Sequence, residues 1–181
     1  MSIYFLRHIK TIYNLENLIS GCFDAEPLSG QALVVPDGAE LRFHHVLCSP
    51  LKRCKATIDL LPADCYDDVL YCEELVERNV GILEGMPRSQ AQRDYPQLFS
   101  NGKLNVAASI PEGESIAEAL QRIAPVVEKL RNLPDSMNVL VCSHNQTLKI
   151  LLAAFKNIPI SNEYWSSINF EHGELWCADS Y

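Results

Sequence analysis

The chain has 181 residues, 48% of them hydrophobic, and a formal net charge of -8 at pH 7. That length suits one domain with a substantial core. The acidic balance argues against nucleic acid as a partner, so any anion site must be a local basic pocket. The first residues already read as a strand, without the cationic start and apolar core of a leader. No apolar run approaches membrane-spanning length, so a membrane is not expected as a partner and the expected compartment is the cytoplasm. Seven cysteines form an odd set with no C-x-x-C pair. Several sit in apolar runs, which predicts buried reduced thiols and no zinc site.

Ser2 to Leu6 reads as a short apolar strand that ends on Arg7 and His8. Lys10 to Leu18 suggests a short helix, with Ile12, Leu15, Leu18 and Ile19 at helical spacing. Gly21 to Gly30 is loop, rich in turn residues. Pro36-Asp37-Gly38 breaks the next stretch, so the first long helix is expected to be short or broken. His44 and His45 read as solvent-facing side chains, since nothing nearby completes a ligand set. A second strand runs through His45 to Cys48 and leads into a helix, Leu51 to Leu61, stopped by Pro62. A third strand is expected at Asp67 to Cys72. Arg78 to Pro111 is irregular, with a short helix at Ser89 to Tyr95. Glu114 to Leu133 is a long helix with Pro125 inside it and a capping box of Ser115 and Glu118. Val139 to Ser143 is a fourth strand, and a helix at Thr147 to Phe155 comes after it. His172-Gly173 suits a hairpin turn between Ile168 to Phe170 and Glu174 to Cys177, which makes His172 a turn residue. This alternation predicts an α/β fold, a three-layer α/β/α domain with a mostly parallel sheet.

In a parallel sheet the carboxyl ends of the strands share one edge, where ligands bind. Three strands here end close to Arg7-His8, Arg53 and Ser143-His144. Two arginines and two histidines then converge on one spot. Arginine presents a rigid fork of donors suited to phosphate oxygens, and histidine serves as nucleophile, base or donor. The convergence suits a phosphoryl group.

The ordered motifs resemble those of the histidine phosphatase superfamily, which includes the cofactor-dependent phosphoglycerate mutases. LRHIKTIYN is similar to R-H-G-E-T-x-x-N, and GCFDAEPLS to Q-G-x-x-D-x-P-L-T. CSPLKRCKAT resembles S-S-P-L-x-R-A-x-Q-T, and ERNVGILEG resembles E-R-H-Y-G-x-L-x-G. PEGES matches P-x-G-E-S, and VLVCSHNQTLKILL is similar to V-L-V-V-S-H-G-x-x-I-R-x-L-L. Six matches in the right order cover nearly the whole chain.

The resemblance implies a single domain, residues 1–181, with a short lid at about 78–113. It implies that His8 becomes phosphohistidine, its other ring nitrogen held by a backbone carbonyl close after it. Arg7, Arg53 and His144 would surround the phosphoryl oxygens, and Asn14 would add a neutral donor. Glu77 is the implied acid, since its spacing to Gly81 matches the motif better than that of Glu73 or Glu74. Arg88 falls where the mutases carry a substrate lysine, and Asn145 stands after the second histidine as a further substrate-binding residue. Arg93 and Lys103 are expected to be solvated. No metal or cofactor is expected, because two arginines supply the positive charge.

Two positions depart from the pattern. Ile9 and Asn145 replace the glycines after the two histidines, and a β-branched Ile9 could tighten the pocket. The short lid lacks an adjacent arginine pair, which favours a phosphatase acting on a small phosphorylated metabolite. A phosphoglycerate mutase is the alternative, and a phosphate-binding pseudo-enzyme is another. The sequence leaves the particular substrate and the oligomeric state open.

Overall fold

The computed structural model describes residues 2–36 and 41–178. In chain order the elements are β1 (Ser2–Arg7), α1 (Ile12–Leu15), β2 (His45–Cys48), α2 (Lys52–Ile58), β3 (Val69–Tyr71), α3 (Arg88–Asp94), β4 (Phe99–Ser100), β5 (Lys103–Leu104), α4 (Ile116–Arg131), β6 (Asn138–Ser143), α5 (Asn145–Lys156), α6 (Asn162–Ser167) and β7 (Leu175–Cys177). The main sheet has the order β3-β2-β6-β1-β7. Its first four strands are parallel, and β7 runs antiparallel to β1 at the edge. The fold is α/β, with a mostly parallel central sheet between helices.

Alternation along the strands builds the two cores. Ile3 and Phe5 of β1, with Val139 and Val141 of β6, face α4 and α5. Leu6, Leu140 and Cys142 point to the opposite face, against Cys54 and Ile58 of α2. A separate apolar cluster, built on Val80, Leu83, Ala91, Leu98, Leu104 and Ile110, holds the irregular segment together. Ser115 and Glu118 form the expected capping box at the start of α4. Pro125 lies inside α4 without ending it. Cys48, Cys54, Cys65, Cys72 and Cys142 are buried free thiols, while Cys22 and Cys177 are half-buried.

Some expectations need correction. Helix α1 is a single turn, and its apolar residues Ile12 and Leu15 are 41% and 73% exposed. It is fixed by a capping box of Thr11 and Asn14, not by an apolar face. The first long helix is absent from 31–36, which run as irregular chain; Asp37 and Gly38 lie outside the described residues. The hairpin around His172 does not form. The outer side of β7 is taken by Val34, whose carbonyl accepts from Leu175 N–H at 2.9 Å. Phe170 instead packs its ring against Phe5 and Trp176. Helix α6, unforeseen in the sequence, precedes this stretch.

The site lies at the carboxyl edge of the sheet. Arg7 of β1 is in register with Ser143 of β6. The ladder continues one step further, His8 N–H donating to Ser143 O at 3.0 Å and Ser49 N–H to Cys142 O at 2.9 Å. Three chain reversals, after β1, β2 and β6, are thereby fixed side by side.

Candidate active site

A cleft of about 310 Å³ opens at this edge, lined among others by Arg7, His8, Asn14, Arg53, Glu77, Arg88 and Asn145. His8 sits at its floor, nearly buried. Its Nδ1 lies 2.6 Å from the carbonyl oxygen of Ile9. A carbonyl only accepts, so Nδ1 carries the proton and the Nε2 lone pair is left for attack. Burial, then Arg53 and Arg7, holds the His8 imidazole well below its usual pKa range and so neutral.

Ile9 does not occlude the cleft. Its side chain is buried, its N–H donates to Thr57 Oγ1 at 2.9 Å, and it lies against Gly173. Thr57 in turn donates to Arg53 O at 2.6 Å, tying α2 to the loop after His8. Asn145 uses its amide to hold the chain at 169–170. It donates to Asn169 Oδ1 at 3.1 Å and accepts from Phe170 N–H at 3.1 Å.

The two arginines differ. Arg53 is fully buried, and protein takes three of its five N–H groups, which leaves one on each terminal nitrogen for a ligand. It donates to His144 Nδ1 at 3.1 Å, to Phe23 O at 2.5 Å and to Gly21 O at 2.9 Å. Gly21 has φ of +48°, and a Cβ there would meet the Glu84 carboxylate at 2.2 Å, so this carbonyl position requires glycine. Arg7 donates to Phe170 O at 2.7 Å, but its Nε is buried with no hydrogen-bond partner among the described residues. A buried orphan donor costs about 1–3 kcal/mol unless a ligand takes it. Burial lowers the Arg7 pKa to about 10, with the Glu77 carboxylate opposing.

His144 departs from its expected role. It does not line the cleft. Arg53 donates to its Nδ1, so the proton sits on Nε2, which lies 2.9 Å from Ser49 Oγ. Both ring nitrogens are thus engaged by protein. His144 orients Arg53 from behind and lies against His8, ring centroids 5.1 Å apart. Burial and Arg53 hold it well below its usual pKa range.

Glu77 is nearly buried and faces the cleft. Its Oε1 accepts from Arg78 N–H at 2.9 Å, and from Thr147 N–H and Oγ1 at 3.1 Å. Oε2 has a single 3.4 Å contact with Gln146 N–H. The carboxyl group is held by the first turn of α5, where backbone donors lack helical partners. Glu73 and Glu74 lie in the preceding turn and do not line the cleft. Asn14 spends its side-chain oxygen on the α1 cap, leaving its NH₂ for a ligand. Arg88 is an exposed rim residue whose backbone N–H is anchored on Asn17 O at 3.0 Å. Arg93 is exposed as expected, on α3.

Several site residues were not foreseen. The ring of His172 packs edge-on against His8, centroids 5.1 Å apart, and its Nδ1 donates to His8 O at 2.9 Å. Burial lowers its pKa to about 4. Lys149 is buried and lines the cleft. Lys103 is exposed, as expected, yet it too lines the cleft. Burial, then Lys103 and Arg7, lowers the Lys149 pKa to about 8. Arg78 is fully buried beside Glu77, its Nε donating to Glu114 O at 2.7 Å. Lys149 had one available signal, because it occupies the arginine position of the motif after the second histidine.

The buried imidazoles couple stability to pH. His8, His144 and His172 are neutral in the fold and protonated in the unfolded chain once pH falls below about 6.5. Their contribution is present above that pH and is lost on acidification. Each gives a slope approaching about 1.4 kcal/mol per pH unit, so the three together approach about 4 kcal/mol per unit near pH 5, a window that closes for His172 at its folded pKa of about 4. Urea titrations between pH 7 and 5 should show this loss, and His144→Asn should remove about a third of the slope. An unchanged slope in that variant would contradict a neutral buried His144.

The family model described as histidine phosphatase superfamily (branch 1) matches residues 3–175. The chain belongs to this superfamily. It is 30% identical to the Escherichia coli K12 protein named "Probable phosphoglycerate mutase GpmB", a match spanning 100% of this chain and 90% of that protein. Its fold is similar to that of the alpha-ribazole phosphatase from Shigella flexneri (22% identity, TM-score 0.73, 98% of this chain and 89% of that one). It is also similar to the mycobacterial glucosyl-3-phosphoglycerate phosphatase (18% identity, TM-score 0.75, 97% and 91% coverage). Among the described residues no helix is long and apolar enough to cross a membrane, and no group of three His, Cys, Asp or Glu is placed to hold a metal ion.

Proposed function

We propose that this superfamily member is a phosphatase that hydrolyses a small phosphate monoester through a phosphohistidine on His8. The observation that carries this reading is the fixed tautomer of His8. Its protonated Nδ1 is held on Ile9 O, beside an arginine with an unpaired donor and across from a carboxyl group. Nε2 attacks phosphorus as the ester oxygen departs. Arg7 and Arg53 stabilise the charge that shifts onto the phosphoryl oxygens, so the reaction needs no metal. Glu77 gives a proton to the leaving oxygen, from Oε2, the less engaged of its two oxygens. It then takes one from the water that attacks phosphohistidine, which releases phosphate and restores His8. Residues 78–113 act as a lid within one domain, with Arg88 as a cationic and Asn14 as a neutral contact for the substrate.

The name of the Escherichia coli relative favours a second reading, phosphoglycerate mutase. A mutase must retain its bisphosphate intermediate and exclude water. The open cleft and the short segment over it favour water as acceptor. Phosphate release should be measured over a metabolite panel with chelator present, beside conversion of 3-phosphoglycerate to its 2-isomer. Phosphate release is expected to dominate and to survive chelation. Isomerisation much faster than release would establish the mutase. Vanadate binding with no turnover on any ester would establish a pseudo-enzyme.

A further inference from the structure

Five cationic side chains line the cleft, Arg7, Arg53, Arg88, Lys103 and Lys149, against one carboxylate, Glu77. A phosphate monoester brings two negative charges at most, and Arg7 and Arg53 meet it at the His8 end. Lys149 is only 3% exposed, and a buried ammonium normally has a carboxylate partner. Here it has none within ion-pair distance among the described residues, and neither has Lys103. Instead two successive carbonyls at the end of α6 hold the two ammoniums side by side. Lys149 Nζ donates to Trp165 O at 2.8 Å, and Lys103 Nζ to Ser166 O at 3.1 Å. Lys149 also lies 5.2 Å from the centroid of the Trp165 ring. Each ammonium has three donors and spends one on its carbonyl, so donors remain for a ligand.

We infer that Lys149 and Lys103 form a second anion subsite, and that the substrate carries a second anionic group besides the phosphate that is transferred; the identity of that first group rests on the phosphatase reading. Lys149 stands one helical turn beyond Asn145, the first residue of α5 and itself on the cleft wall, about 6 Å along the helix axis. A carboxylate or second phosphate about four or five bonds from the transferred phosphorus fits that reach. The Trp165 ring forms an apolar wall beside the subsite and shields the charge pair from water, which strengthens it.

Phosphonates separate binding from turnover, because their carbon–phosphorus bond leaves no ester oxygen to expel. Calorimetry on the full chain should compare 4-phosphonobutyrate, butane-1,4-bisphosphonate and 4-hydroxybutylphosphonate. At least one of the two ligands with an anionic tail is expected to bind ten-fold or more tighter than the hydroxyl analogue. Which of the two binds better decides between carboxylate and second phosphate. Lys149→Met should reduce the preference to two-fold or less, and Lys149→Arg should retain most of it. Lys103→Met, on a more exposed chain, should reduce it independently if Lys149→Met does not fold. Equal affinities for all three ligands in wild type would overturn the subsite. So would a preference that survives both methionine variants. Failure of phosphate release across the metabolite panel would sink the catalytic reading while leaving these affinities to stand or fall alone.

Discussion

Exchanging Glu77 for glutamine is expected to slow phosphoryl transfer from an alkyl phosphate by about 10²–10⁴-fold. Glutamine keeps the size and an acceptor oxygen for Thr147, so the first turn of α5 stays capped. It removes the proton that the departing alkoxide needs. A nitrophenolate leaves readily without protonation, so its transfer step should be nearly spared. The comparison belongs in the single-turnover phase. Steady-state rates mix in the second step, where the same carboxylate helps water attack. Equal losses on both substrates would make Glu77 a helix cap and nothing more.

His8→Ala should cost far more, on the order of 10⁶-fold in turnover, the scale of deleting a covalent nucleophile. The loss should not track the leaving group, since no phosphoenzyme forms with any ester. The variant should still fold. His8 is held neutral by burial, and its removal relieves part of the acid sensitivity that the buried imidazoles impose. Its main cost is the Ile9 carbonyl left without a donor. Circular dichroism and the urea midpoint at pH 7 would separate lost chemistry from lost structure.

The sheet was legible because its strands are short apolar runs that end on conspicuous polar residues. Arg7-His8, Ser49 to Arg53 and Ser143-His144 could be placed on one edge from parallel topology alone. The capping box at Ser115 was legible because it is a local code, four residues long. What failed was long-range. Ile12 and Leu15 have helical spacing, yet neither reaches a core, so periodicity without a partner misled. The hairpin at His172 failed because Val34, distant in sequence, takes the edge of β7.

The candidate site shows the same division. Residue types and motif order pointed to Arg7, His8, Asn14, Arg53, Glu77, Arg88 and Asn145, all of which line the cleft. They could not show that both nitrogens of His144 are taken by Arg53 and Ser49. Nor could they show that the Ile9 side chain turns away while its carbonyl holds His8. Lys149 sits in an apolar helix face, marked only by the arginine position of the second histidine's motif, and Lys103 sits in a two-residue strand with no motif at all. Their meeting depends on α6, an element whose pattern is too short to read.

The most direct test is to find where the phosphoryl group rests. The protein should be mixed with a labelled phosphate monoester, quenched in denaturant at alkaline pH and mapped by mass spectrometry. The expected product is an acid-labile, base-stable phosphoryl group on Nε2 of His8, absent from His8→Ala. A label on a cysteine, a serine or His172, or one that persists in His8→Ala, would contradict the assignment of His8 as nucleophile.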